Sequence, residues 1–466
     1  MTARVGVRII RGAALILAVL TVAARAPAPA NAQTCPGLDV DGNGSTSLAT
    51  DIVYIARNLL GLSPVPASFR VLDPSIPSDA QVNAHISTAC AGSTATCSGE
   101  LLKTGQRQCD QGAGTLGACP GSPVGQDAWL KKGASPSYTD NFDGTITDDL
   151  TGLMWEKLSD DGSIHDWDAN YTWYDAFTGK IAALNTAVFA GHNDWRLPNR
   201  RELESLVEAG RLNPAIDPVF NTGCAPGCTV LTCSCTQSGY YWSSSTYGGV
   251  ATAAWSSAFH DGATSFGGKS TTSAVRAVRD GCGKLLRTGQ IQCDQGTGTL
   301  GACPGHPVGQ DGSLQKGAAF SYVDNGDGTV TDNVTGLMWE KLSDDGSIHD
   351  WDANYTWYDA FRVKIAALNR AVFAGYHDWR LPNHRELESL VDLNRSRPAI
   401  NPVFHTDCVP GCTGLKCSCT QSFRYWSSTT YAFGTTGAWG VYFYDGFVNS
   451  YVKTGNGYVR AVRGGS

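Results

Sequence analysis

Apolar positions along the chain follow first a helical and then a two-residue period, and this order occurs twice. Over 173–188 they recur at helical spacing, with Ala176, Ile181, Ala183 and Leu184 as candidate core positions of a first helix. A second helix is predicted from Pro198 through Arg201, Glu202, Leu203 and Val207, with proline in the first turn, where its missing N–H does no harm. The period then shortens to that of strands, expected at 241–244, 253–260, 264–268 and 274–279. Ahead of the helices, Asp143-Gly144 lies between β-formers, a hairpin signal that returns at Asp327-Gly328. A hairpin, two helices and a closing sheet make an α+β arrangement.

The whole series repeats at a constant offset of 184 residues, as from Trp155 to Trp339. The segment 151–177 reappears unchanged as 335–361. So long a period marks a tandem domain pair, here 97–280 and 281–466, because solenoid repeats run only about 20–50 residues.

The copies diverge most over 247–275, where nine of 29 positions match their partners in 431–459. Trp255, Phe259 and Asp261 persist as Trp439, Phe443 and Asp445, while Ser256, Ala258 and His260 become Gly440, Tyr442 and Tyr444. Alternate strand residues face opposite sides, so one face is fixed and the other rewritten, with Ser257 to Val441 as an exception on the fixed face. The second copy gains Tyr442, Tyr444, Phe447 and Tyr451, loses Phe266 to Ser450, and carries Arg424 in place of Tyr240. Exposed aromatic clusters mark binding surfaces, and tyrosine suits stacking on sugar C–H faces. The candidate ligand-binding residues are therefore Tyr442, Tyr444, Phe447 and Tyr451, with Ala258 and His260 at the matching positions of the first copy.

The N-terminus changes the compartment. Arg4, Arg8 and Arg11, an apolar run over 13–24 and Ala30-Asn31-Ala32 read as a cleavable secretory signal over 1–32. Its removal takes four arginines and no acid, so the net charge moves from −7 to −11, which disfavours nucleic acid and anionic membranes. No other segment is apolar enough to span a bilayer.

Export leads us to expect disulfides from the sixteen cysteines. Cys109 with Cys119, and Cys293 with Cys303, bracket glycine-rich turns. Cys224, Cys228, Cys233 and Cys235 recur as Cys408, Cys412, Cys417 and Cys419; two disulfides per cluster are expected, with an all-cysteine zinc site as the alternative. The partners of Cys35, Cys90, Cys97 and Cys282 do not follow from the sequence.

A small module occupies 33–92. Asp39, Asp41, Asn43 and Ser45 alternate around Gly44 as in an EF-hand loop, with a carboxylate at Asp51, one place late. A structural calcium ion is expected there. The pattern resembles dockerin-type single calcium-loop modules, although no second acidic loop follows. The acidic stretch 159–168, identical at 343–352, is read as a solvated turn, with a calcium loop as the alternative.

Five strings occur in order in each copy: Thr151-Gly152-Leu153-Met154-Trp155, Trp173 with Ala176, Asp194-Trp195-Arg196-Leu197-Pro198-Asn199 with Glu202-Leu203, Tyr241-Trp242-Ser243-Ser244, and Val275-Arg276-Ala277-Val278-Arg279. The series resembles the DUF1566 family, the C-terminal domain of the Legionella collagen-like adhesin, over 138–280 and 322–464. That resemblance implies two C-type-lectin-like domains whose Trp, Leu and Arg residues are structural. It also implies kinship of fold with formylglycine-generating enzymes. The lectin disulfide between first helix and last strand is absent, as are the EPN or QPD and WND strings of calcium-dependent sugar binding.

No HExxH, GxSxG or Walker string is present, and His165 and His349 are isolated in the acidic loops. The expectation is a secreted or cell-surface adhesion protein that binds glycan or extracellular matrix and is not an enzyme. The alternatives are a passive surface scaffold and, less favoured, an oxidase like the formylglycine-generating enzymes.

Overall fold

A computed structural model describes residues 101–465, apart from 113, 281–284 and 297. The expected signal segment 1–32, the expected calcium-loop residues Asp39, Asp41, Asn43, Ser45 and Asp51, and Cys35, Cys90, Cys97 and Cys282 lie outside the described residues.

The architecture is mixed, with short helices and, in each repeat, two larger sheets and a two-stranded hairpin, Cys109–Asp110 with Leu116–Gly117 in the first and Gln292–Asp294 with Leu300–Ala302 in the second. In the first repeat a four-stranded sheet has the order Val278–Asp280, Leu153–Glu156, Thr145–Asp148, Tyr138–Asp140. A five-stranded sheet has the order Asn170–Thr172, Thr272–Ala274, Tyr240–Thr246, Ala253–Ala258, Thr264–Gly268. The second repeat reproduces the first sheet, but its second sheet has three strands, Arg424–Thr430, Gly437–Tyr442 and Phe447–Val452. Among the described residues no helix is long and apolar enough to cross a membrane.

The local signals have clear physical causes. Asn199 caps the helix Arg200–Ser205 by accepting from Glu202 N, and Glu202 answers by accepting from Asn199 N. The same Glu202 carboxylate takes both ends of the Arg196 guanidinium at 2.7 and 2.6 Å, which lets the arginine be buried in the WRLP string. The first helix runs over 173–186, with a π-wound middle, Ala176–Ile181. The last expected strand, 274–279, is divided, because residues 275–277 cross from one sheet to the other. At that crossing Arg276 is 1% exposed and donates to the carbonyls of Glu156 and Cys235 and to Thr236 Oγ1, each at 2.7 Å.

The two repeats are interlocked. The arm that opens the first repeat, residues 101–132, docks on the second. Gln106 donates to Thr430 O at 2.7 Å, Thr429 Oγ1 donates to Asp127 at 2.8 Å, and Asp110 accepts from Tyr358 Oη at 3.2 Å and from Lys453 Nζ. The arm that opens the second repeat docks on the first through the matching set. Gln290 donates to Thr246 O at 2.8 Å, Ser245 Oγ to Asp311 at 2.5 Å, and Asp294 accepts from Tyr174 Oη at 3.1 Å and Lys269 Nζ at 2.5 Å. The limits 97–280 and 281–466 mark the period of the sequence, while each arm bridges its own repeat, as where Thr104 O accepts from Ala209 N at 2.7 Å, and the other.

A shared core lies between these crossed arms. Tyr247, Trp255 and Ala263 of the first repeat join Trp439, Val441, Phe443 and Val448 of the second in one buried cluster. Tyr247 Oη donates to Asp445 at 2.8 Å and Tyr431 Oη to Asp261 at 2.7 Å, the same contact with the copies interchanged, as an isologous interface requires. Arg201 donates to Val391 O at 2.6 Å, and its counterpart Arg385 donates to Val207 O. At the centre the symmetry fails. Arg200 reaches Glu204 at 2.7 Å and Gly446 O at 2.6 Å, whereas His384 stands at its counterpart position, and burial pushes that imidazole down to about 3.

The Lys453–Asp110 pair holds its arm from within the protein, with side chains 1% and 0% exposed. Asp110→Ala leaves a buried ammonium without its counter-charge. We expect about 3–5 kcal/mol of destabilisation in denaturant titrations at pH 7. Arg107→Ala, which removes an exposed pair with Glu208, should stay within about 0.5 kcal/mol. Equal effects of the two variants would contradict the interlocked assembly.

Candidate functional site

Copy two carries an open groove of about 420 Å³ on its rewritten strands. It is lined by Phe423, Arg424, Tyr442, Asp445, Phe447, Asn449 and Tyr451, together with Phe266 from the first repeat. Strand register explains the grouping. Arg424 stands opposite Tyr442, and Tyr442 opposite Phe447, so that three strands present one row. Phe423 meets Tyr442 edge-on at 5.6 Å, a favourable aromatic geometry. The Arg424 guanidinium lies 5.2 Å from the Tyr451 ring and 5.5 Å from the Trp426 ring, and its Nε donates to Asn456 O at 2.6 Å. Beside it, burial raises the Tyr451 hydroxyl to about 12.

The sequence candidates are distributed unevenly around this groove. Tyr442, Phe447 and Tyr451 line it and are partly exposed. Tyr444 is partly exposed behind the lining, stacked on Tyr442 at 5.8 Å with Arg397 over its ring at 4.7 Å. Trp439 and Phe443, on the alternate positions, are buried. His260 is partly exposed on the first copy, 3.2 Å from Asp261.

Ala258 requires a correction: it is 1% exposed and cannot contact a ligand. Its methyl group stands opposite Tyr240, and its backbone closes a tight turn by accepting from Gly262 N and donating to Ala263 O. Arg424, Asp445, Asn449, Phe423 and Phe266 were absent from the candidate set. Arg424 could have been found by aligning it in register with Tyr442. Phe266 could not, because it reaches the groove only through the interlock.

The cysteine clusters pair as Cys224–Cys235 with Cys228–Cys233, and Cys408–Cys419 with Cys412–Cys417. Cys109–Cys119 and Cys293–Cys303 close the hairpins of the two arms. Sulfurs joined in this way have no thiolate to offer zinc, so the clusters serve as loop staples.

In the acidic loop the carboxylates mainly close turns. Asp161 accepts from Ser159 Oγ at 2.8 Å and Ser163 N at 3.0 Å, and Asp166 accepts from Gly162 N at 2.5 Å. His165 anchors the loop by its Nδ1, 2.8 Å from the buried Glu156. Glu156 also takes Lys180 Nζ at 2.5 Å and Ala277 N at 3.1 Å, tying loop, helix and last crossing together. Glu340, Lys364 and His349 repeat the arrangement. These groups are spent on one another inside the protein, and the histidines have a structural partner.

The family model of the Lcl C-terminal domain matches the chain twice, over 144–279 and 328–463, together more than half of its length. Among curated proteins, none matches it. The crossed arms lie ahead of each matched region.

The Glu340 network sets an acid limit. Burial works to raise its carboxyl, but the Lys364 ammonium and His349 overcome this and hold it down to about 2. A depressed carboxylate contributes stability above its unfolded value of about 4.5, lost as pH falls through the folded value. We expect denaturant midpoints to fall between about pH 4.5 and 2, and less steeply in Glu340→Gln. Parallel curves for the two proteins would rule out this role.

Proposed function

We propose that this chain, which belongs to the Lcl C-terminal domain family, is a secreted or cell-surface adhesion protein that has two C-type-lectin-like domains and binds glycan without a calcium-dependent sugar motif. It acts by binding and not by catalysis. The observation that carries this reading is the open groove over Tyr442, Phe447 and Tyr451, where aromatic faces and polar side chains share one surface. Flat rings pack on the C–H faces of a sugar, while hydroxyl, amide and guanidinium groups meet its hydroxyls. Six disulfides in the described residues suit an oxidising, extracellular setting. Cleavage of the signal segment 1–32 and a structural calcium ion held by Asp39, Asp41, Asn43, Ser45 and Asp51 belong to the same proposal.

Tyr442→Ala and Tyr451→Ala should each weaken capture on a glycan array by about 5- to 10-fold, the loss of one stacking contact of ~1–1.4 kcal/mol, while thermal unfolding of Tyr442→Ala stays that of the wild type and Tyr451→Ala, whose ring also packs on the core, unfolds somewhat earlier. Tyr444→Ala should matter less, since Tyr444 stands behind the lining. Unchanged capture by both groove variants would remove glycan recognition at this face and favour a passive scaffold.

A further inference from the structure

One wall of the groove comes from the other repeat. Behind the row Arg424, Tyr442 and Phe447 comes a row in which Gly440 stands between Trp426 and Asn449. A Cβ at Gly440 would come within 2.7 Å of Tyr425 O and 3.2 Å of the Tyr451 ring, so glycine there lets that ring pack down on the strand. Phe266 of the first repeat faces Phe447 at 6.4 Å. Behind Phe266 lies Tyr247, stacked at 4.1 Å with an interplanar angle of 4°. The Tyr247 hydroxyl holds Asp445 Oδ2, while Asp445 Oδ1 accepts from Phe447 N at 3.1 Å. The first repeat thus supplies one aromatic wall and fixes the only carboxylate in the lining.

Among the described residues, the first repeat lacks most of the side chains that line this groove. There Ala258, Ala263, Ser265 and Gly267 take the places of Tyr442, Phe447, Asn449 and Tyr451, and Ser450 takes that of Phe266. Ala258 and Ala263 are buried. Gly267 lies so close to Trp242 that a Cβ would approach that ring to 3.0 Å. Five aromatic residues line the groove of copy two, and at the counterpart positions Tyr240 alone remains.

We propose that the chain carries one composite polysaccharide site, completed across the two repeats by Phe266, and that it takes an uncharged pyranose chain. This inference rests on the glycan reading above. Arg424 and Asp445 are the charged members of the lining and offset each other, so the groove gives no net field to select a charged sugar. Asp445 is positioned by two donors and faces the site as an acceptor for sugar hydroxyls. Although the sequence contains two domains, binding is monovalent.

The test is calorimetric titration of the intact chain with cellohexaose, mannohexaose and chitohexaose, with a hexamer of galacturonate as the charged arm. We expect a neutral hexamer to bind at one site per chain. Phe266→Ala should weaken it about 5- to 10-fold, and Phe266→Leu, which keeps the apolar contact to Tyr247 but lacks a flat ring, should do the same. Tyr240→Ala should leave affinity unchanged. Two sites per chain, or a loss on Tyr442→Ala with none on either Phe266 variant, would overturn the composite site while leaving glycan binding intact. Binding of the galacturonate hexamer alone would overturn the uncharged class. No binding of any of the four would remove this inference, and the glycan reading itself would then be decided by the Tyr442 and Tyr451 arrays.

Discussion

Two buried Lys–Asp contacts, Lys453 with Asp110 and Lys269 with Asp294, hold the structure together, because each pins the arm of one repeat to the body of the other. Each lysine also lies over a tryptophan ring, Trp357 at 4.3 Å and Trp173 at 4.1 Å, so its charge is met by a ring face as well as a carboxylate. With both arms crossed, the faces bearing Trp255 and Trp439 are enclosed in a common core. The rewritten strands can then vary on their outer side without loosening the pair.

This constraint explains which residues survive in the divergent stretch. Of the nine matches between 247–275 and 431–459, Tyr247, Trp255, Asp261 and Lys269 bind the other repeat or sit in the shared core. Identity there reflects the seam between copies as much as the interior of each. Diverged positions also enter the seam, where Phe266 meets Phe447 and Thr264 Oγ1 accepts from Val448 N at 2.7 Å. At its centre, Arg200 pairs with Glu204 and also reaches Glu388 at 3.5 Å, while the neutral His384 stacks near Trp439 at 5.5 Å. The interface tolerates one guanidinium in place of two, an asymmetry that matches the single aromatic groove.

Much of the fold was legible because its signals are local. The hairpin turn at Asp143-Gly144 and the alternation at Trp439 to Tyr444 depend on neighbours within a few residues, whereas the second helix begins at Arg200 and not at the expected Pro198, because Asn199 caps it. The interlock was not legible, for a simple reason. When two copies are nearly identical, a contact between Asp110 and Lys453 and one between Asp110 and Lys269 leave the same trace in the sequence. Ala258 was misplaced because strand alternation assigns a face and says nothing of what covers it. Phe266, counted as an aromatic lost from copy two, is a wall of the groove once the crossed geometry is known.

Double-mutant cycles on the four Lys–Asp combinations test the interlock most directly. The crossed pairs, Asp110 with Lys453 and Asp294 with Lys269, should show coupling of about 1–3 kcal/mol in denaturant titrations, and the same-copy pairs, Asp110 with Lys269 and Asp294 with Lys453, should add independently. Coupling within each copy and none across would mean that the repeats fold side by side, and a site shared between them could not exist.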